Sequence, residues 1–185
     1  MDDRRNSQRR IEVEIQNDAS DCIERVTIAD ELLPIVSKEI ARLKDVPTKT
    51  LHPLEALYLA YRGYVLHVKN CEEYTFEKLA RILSRCNPLT WAEFEVYLDL
   101  RKRGRIVAPG PRPHTLLVKM RRKSPKYDYY LLVLEEGRRI PLSLLSEFVE
   151  EARKNNWTPL LAIVDRYGDI VYYAPTPFRV VARKG

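Results

Sequence analysis

"ARKNNWTPLLAIVDRYGDIVYY", residues 152–173, has the pattern of a helix end, a strand, an acidic turn and a second strand. Its "PLLAIV" (159–164) is a continuous apolar run of the kind buried inside a sheet. The preceding "PLSLLSEFVEEARKNN" (141–156) places Leu142, Leu145, Val149 and Ala152 at helical spacing, which predicts an amphipathic helix burying those four. Further out, "RIVAPG" (105–110), "HTLLVKM" (114–120), "YYLLVLEE" (129–136) and "FRVVARK" (178–184) read as strands. Together they predict an α/β domain: a mixed sheet with one major helix packed on it.

Upstream, "IEVEI" (11–15) and "CIERVTI" (22–28) alternate as half-buried antiparallel strands do. Helices are expected in "ELLPIVSKEIARLKD" (31–45), interrupted by Pro34, and in "LHPLEALYLAYRGY" (51–64), with Leu54, Leu57, Tyr58 and Tyr61 on one face. "YVLHV" (64–68) reads as a strand and "TFEKLARILSRC" (75–86) as a helix capped by Thr75. In "LTWAEFEVYLDLRKRG" (89–104), Thr90 and Glu93 have the spacing of a capping box, and Gly104 ends the helix. This organisation gives a disordered basic tail (1–10), an N-terminal α+β domain (11–88) and a C-terminal α/β domain (89–185).

The chain has 185 residues, 45% hydrophobic and 31% charged, with a formal charge of +6. That describes a globular protein with an ionic surface. No run approaches the roughly 20 apolar residues of a membrane span, and the N-terminus lacks an apolar signal core, so a cytoplasmic protein is expected. Cys22, Cys71 and Cys86 show no CxxC spacing and are read as reduced, mostly buried thiols, with a disulfide left open for a thermophile. No metal or cofactor is expected. Six glycines and abundant Arg, Lys and Glu suit a thermophile.

A sequence pI of about 9.2 and basic runs at "RRNSQRR" (4–10), "RKRGR" (101–105) and "MRRKSPK" (120–126) point to a polyanion, RNA or DNA. His52, His67 and His114 have no carboxylate or Cys partner nearby in sequence, and structural roles are expected for them.

The stretches "LHPLEALYLAYRGYV", "TFEKLARIL", "FEVYLDLRKRGRIVAPG", "YYLLVLEE" and "PLLAIVDRYGDIVYY" cover most of residues 50–174. In this order the chain resembles the archaeal tRNA-splicing (tRNA-intron) endonuclease family. The resemblance implies a restriction-endonuclease-like C-terminal domain. Catalytic members use Tyr, His and Lys, without metal, to leave a 2',3'-cyclic phosphate and a 5'-hydroxyl. One group takes the 2'-hydroxyl proton, one protonates the leaving oxygen, and a cation steadies the phosphorane. At the matching positions this sequence has Lys119, Tyr127 and Trp157, and residues 115–185 contain no histidine. Glu150 stands where catalytic subunits carry an Arg that grips the bulge.

The resemblance therefore implies a structural, non-catalytic subunit of a heterotetramer (α2β2), partnered by a catalytic subunit and acting on precursor tRNA. Asp165, Gly168 and Asp169 match an acidic loop that docks into a basic cleft of an opposing subunit. The terminal strands, with Val180 and Val181, match the dimer contact. Arg101, Arg103, Arg105, Arg121 and Arg122 are candidate phosphate contacts. Two alternatives remain: a nuclease rebuilt on Lys119, Tyr127 and His114, or a stand-alone RNA-binding module.

Overall fold

Helix α4 (Thr90–Lys102) buries Ala92, Phe94, Val96, Tyr97, Leu98 and Leu100, and these positions cover most of the helix circumference, leaving a stripe through Trp91, Glu95, Asp99 and Lys102. Such a helix needs neighbours on several sides, and a computed structural model of the chain supplies them. It describes residues 9–40, 49–68, 72–120 and 125–175. Val180, Val181, Arg121, Arg122 and the strand expected at 178–184 lie outside the described residues.

On one side of α4 is a five-stranded sheet of order β3-β2-β1-β4-β5, with α1 (Leu33–Ile40), α2 (Pro53–Tyr61) and α3 (Phe76–Cys86). Its strands are β1 (Arg9–Asn17), β2 (Ile23–Ile28), β3 (Thr50–Leu51), β4 (Tyr64–Val68) and β5 (Glu72–Tyr74). The β1–β4 pair is parallel and the other pairs are antiparallel. Ile11 and Val13 turn inward while Glu12 and Glu14 face solvent, as the alternation predicts.

On the other side is a second sheet of order β10-β9-β8-β7-β6, formed by β6 (Ile106–Pro109), β7 (Thr115–Lys119), β8 (Tyr129–Glu135), β9 (Thr158–Val164) and β10 (Ile170–Tyr173). Only β8 and β9 run parallel, joined by α5 (Leu142–Lys154). The mixed sheet with one major helix is therefore present. Residue 88 falls in the connection between α3 and α4, and one cluster of buried residues runs from Ile11 through α4 to Val164. Among the described residues no helix is long and apolar enough to cross a membrane.

Several local expectations are corrected. Pro34 opens α1 instead of interrupting it, because a proline is harmless where no intrahelical N–H bond is required. Helix α2 is buried from Leu54 to Ala60 all round, and Tyr61 is exposed. Thr90 and Glu93 make no capping box: the Thr90 hydroxyl donates to the Leu83 carbonyl at 3.0 Å, and Glu93 bonds elsewhere. Gly104 does end α4, at φ 73°. On α5 the anchor is Phe148, stacked on Tyr130 at 4.8 Å, whereas Leu142 is 77% exposed on the first turn.

The expectation of reduced thiols is also overturned for two of the three cysteines. Cys22 and Cys86 form a disulfide, with Cα atoms 5.8 Å apart and a sequence separation of 64. It ties the start of β2 to the end of α3. Closing so long a loop restricts the unfolded chain by on the order of 4 kcal/mol. Reduction or Cys22→Ser should therefore lower the melting temperature markedly, as read by thermal unfolding. Mass spectrometry after alkylation should show two more modified thiols in the reduced, unfolded chain than in the unreduced one.

Candidate functional site

The strand register brings Lys119, Tyr127 and Trp157 together at one end of the second sheet, the edge formed by its strand ends. Lys119 ends β7, Tyr127 precedes β8, and Trp157 precedes β9. Val118 pairs with Tyr129, and Tyr129 pairs with Thr158, so the three chain segments stand side by side. Asp128 clamps them. Its backbone N–H donates to Val118 (3.0 Å), its carbonyl accepts from Thr158 N–H (2.9 Å), and its carboxylate accepts from Met120 N–H (3.0 Å).

The edge is assembled, but its side chains turn to packing. Trp157 lies with its ring centroid 5.3 Å from that of Tyr130, in the apolar cluster beneath α5. The phenol oxygen of Tyr127 is turned away from solvent. Glu150 points from α5 into solvent. Beneath them the Tyr130 hydroxyl donates to Glu151 at 2.9 Å, and Arg112 pairs with Glu151 (2.7 Å) and Glu147 (2.8 Å). Burial, and then the Glu151 carboxylate, push the Tyr130 phenol up to about 12.

The histidines are placed elsewhere. His52 caps α2, its Nδ1 accepting from Leu54 N–H in a capping box with Glu55. His67 is half-buried on β4. His114, at φ 62°, precedes β7 and sits 2.6 Å from Glu93 through Nδ1, while both Glu93 oxygens accept from Asn87. His114 and Lys119 stand at opposite ends of β7, roughly 17 Å apart at about 3.3 Å per residue. A rebuilt site combining them is geometrically excluded. Sequence reasoning missed the Glu93–His114 pair because 21 residues separate its members and Glu93 had a local explanation.

The acidic turn joins β9 to β10. Asp165 Oδ1 accepts from the Tyr167 and Asp169 N–H groups at 2.8 and 2.9 Å, and Gly168 sits at φ 87°. Asp165 thus shapes the loop, while the exposed Asp169 and the 76%-exposed Tyr167 are displayed by it. Next to it, β10 forms the sheet edge among the described residues, with Val171 and Tyr173 about half exposed. Tyr172 faces inward, donating to Asp99 Oδ2 at 2.8 Å, and Asp99 is held by Arg103.

Residues 90–172 match the family described as tRNA intron endonuclease, catalytic C-terminal domain. A tRNA-splicing endonuclease of Thermococcus gammatolerans is 31% identical over 121 residues, which span 65% of this chain and 72% of that protein. The chain belongs to the tRNA-splicing endonuclease family. Other members named tRNA-splicing endonuclease include one from Methanococcus vannielii, 29% identical over 158 residues (79% of this chain, 89% of that protein). One from Pyrococcus abyssi is 29% identical over 120 residues (65% and 71%). The matched region begins at α4 and ends on β10, so it contains the sheet edge and the acidic turn of this endonuclease-family chain.

The arginine run divides by environment. Arg101 bonds the Glu39 carbonyl and lies 5.3 Å over the Tyr58 ring, and Arg105 donates to the Met120 carbonyl at 3.0 Å. Both are half-buried and tied to backbone carbonyls of other segments. Arg103 remains on the surface, chelating Asp99.

Tyr130 gives a pH prediction. Because its folded value lies above the ordinary tyrosine value of 10, its contribution is complete below pH 10 and is lost as the pH rises through about 12. Urea midpoints should fall between pH 9.5 and 11 (roughly the onset of that window), and Tyr130→Phe should fall less steeply over the same range.

Proposed function

We propose that this chain is the non-catalytic, structural subunit of a heterotetrameric tRNA-splicing endonuclease, paired with a separate catalytic subunit that cuts precursor tRNA. The observation that carries the reading is the packing of Trp157 against Tyr130 at the helix end where catalytic members place Lys. A side chain held in an apolar cluster neither donates a proton nor steadies a phosphorane. Lys119 and Tyr127 supply no imidazole to replace the one that is missing.

The surfaces expected of a scaffold lie along β10 and at the other end of the sheet, where β9 passes from Val164 into the turn. The rigid turn presents Asp169 for charge-assisted bonds to an opposing basic cleft, with Asp165 keeping the turn in shape. β10, the sheet edge among the described residues, turns Val171 and Tyr173 outward and offers backbone donors and apolar area to a partner strand. Precursor tRNA is read mainly by shape and phosphate contacts, to which Arg103 contributes. A stand-alone RNA-binding module has no use for such a turn and edge.

Two measurements test this. The purified chain should leave precursor tRNA intact and should support cleavage when co-purified with a catalytic subunit; cleavage by the isolated chain overturns the reading. In size-exclusion chromatography of the mixture, Asp169→Lys should reduce the tetramer to dimers without altering the melting temperature by more than about 1 °C, as expected for an exposed substitution. An unaffected tetramer removes the turn from the interface.

A further inference from the structure

A groove between the start of α5 and the β6–β7 turn takes no part in the assembly described above. It holds about 390 Å³, within the roughly 300–1,000 Å³ of small-ligand sites. Its floor is apolar: Leu89, Leu132 and Phe148 are each almost closed to solvent. Leu144, 37% exposed, forms the lip.

The rim has the opposite character. Arg112, Arg138, Arg139 and His114 line it, and no Asp or Glu does. By contrast, the smaller cavity beside β1 and β2, about 210 Å³, is lined by Glu12, Glu14 and Asp30 with one lysine. The nearest carboxylates stand behind the rim as partners of its cations, Glu93 against His114 among them. Arg112 is already committed to Glu147 and Glu151. Arg138 has only an exposed contact with Glu135 at 3.4 Å, a kind of pair that exchanges readily. Arg139 is exposed and pairs with nothing among the described residues.

Such a site fits a flat apolar body carrying an anionic group. The groove also lies at the Leu132–Leu134 end of β8, away from the edge where Lys119, Tyr127 and Trp157 gather at its start. We propose that it is a nucleotide pocket for single-stranded RNA, seating one unstacked base on Leu132 and Phe148 while Arg138 and Arg139 hold the neighbouring phosphates. Unpaired bases are the part of an RNA that can be splayed out and read this way. The assignment rests on the family's RNA substrate and gives this chain its own contact with unpaired nucleotides, distant from the cut.

The test uses the full chain alone, with methyl-labelled leucines, titrated with a short single-stranded oligoadenylate. The Leu132 and Leu144 methyl signals should shift saturably. Arg139→Glu should weaken binding about five-fold or more and reduce the slope of log affinity against log salt by about one. Oligoadenylate binding that leaves those methyls unmoved, or an Arg139→Glu chain that binds as tightly as the parent, overturns the proposal. So does an acidic peptide of alternating Asp and Leu that shifts the methyls when oligoadenylate does not, since the groove then docks protein. No partner subunit or cleavage enters this measurement, so its failure leaves the subunit assignment standing, and failure of the cleavage assay leaves the groove untouched.

Discussion

Everything in this structure leans on the burial of one helix between the second sheet and the helices α2 and α3 of the first half. Helix α4 packs Phe94, Val96, Tyr97 and Leu100 into a core shared by both halves of the chain, and each buried side chain of that size contributes on the order of 2 kcal/mol. Apolar contact alone leaves a helix free to rotate or slide, and polar ties along its length fix it. Glu93 near its start binds His114 in the β6–β7 turn. Near its end Asp99 accepts from Tyr172 on β10, while Arg101 reaches the Glu39 carbonyl at the end of α1. Because these ties are directional, a carboxylate left unpaired in the half-buried setting costs more than the bond itself gains. The second sheet and both of its exposed surfaces are therefore held at fixed positions relative to the first.

The same construction explains how much could be read from the residues. Most strands in the described residues were legible because their apolar residues alternate or run on, as in "IEVEI" and "PLLAIV", and helix stops such as Gly104 announce themselves through backbone preference. The facial assignment failed where a helix has several neighbours: α2 is buried all round from Leu54 to Ala60, which periodicity alone cannot foresee. Leu142 and Phe148 exchanged roles because the first turn of α5 overhangs a groove instead of the sheet. The Cys22–Cys86 bond and the Glu93–His114 pair join distant positions, and nothing local distinguishes them from unpaired residues.

At the candidate site, position was legible and chemistry was not. The register placed Lys119, Tyr127 and Trp157 along one edge, as the resemblance implied, but only coordinates reveal that Trp157 has joined the cluster under α5. The two aspartates of the turn look equivalent in sequence. In three dimensions Asp165 is consumed by backbone N–H groups and Asp169 is displayed. Arg101 and Arg105, half-buried, also reach backbone carbonyls of distant segments, which the sequence does not announce. On the proposed reading the frame persists because the core requires it, while Trp157 packs in the cluster under α5.

The central claim is that bond cleavage in the assembled complex depends wholly on the partner subunit. Its most direct test is a complex of this chain, unaltered, with a catalytic subunit whose general acid has been substituted, assayed on radiolabelled precursor tRNA over many turnover times. The account predicts an assembled, RNA-binding complex with no cleavage above background. Residual cleavage abolished by Lys119→Ala or Tyr127→Phe in this chain would contradict it.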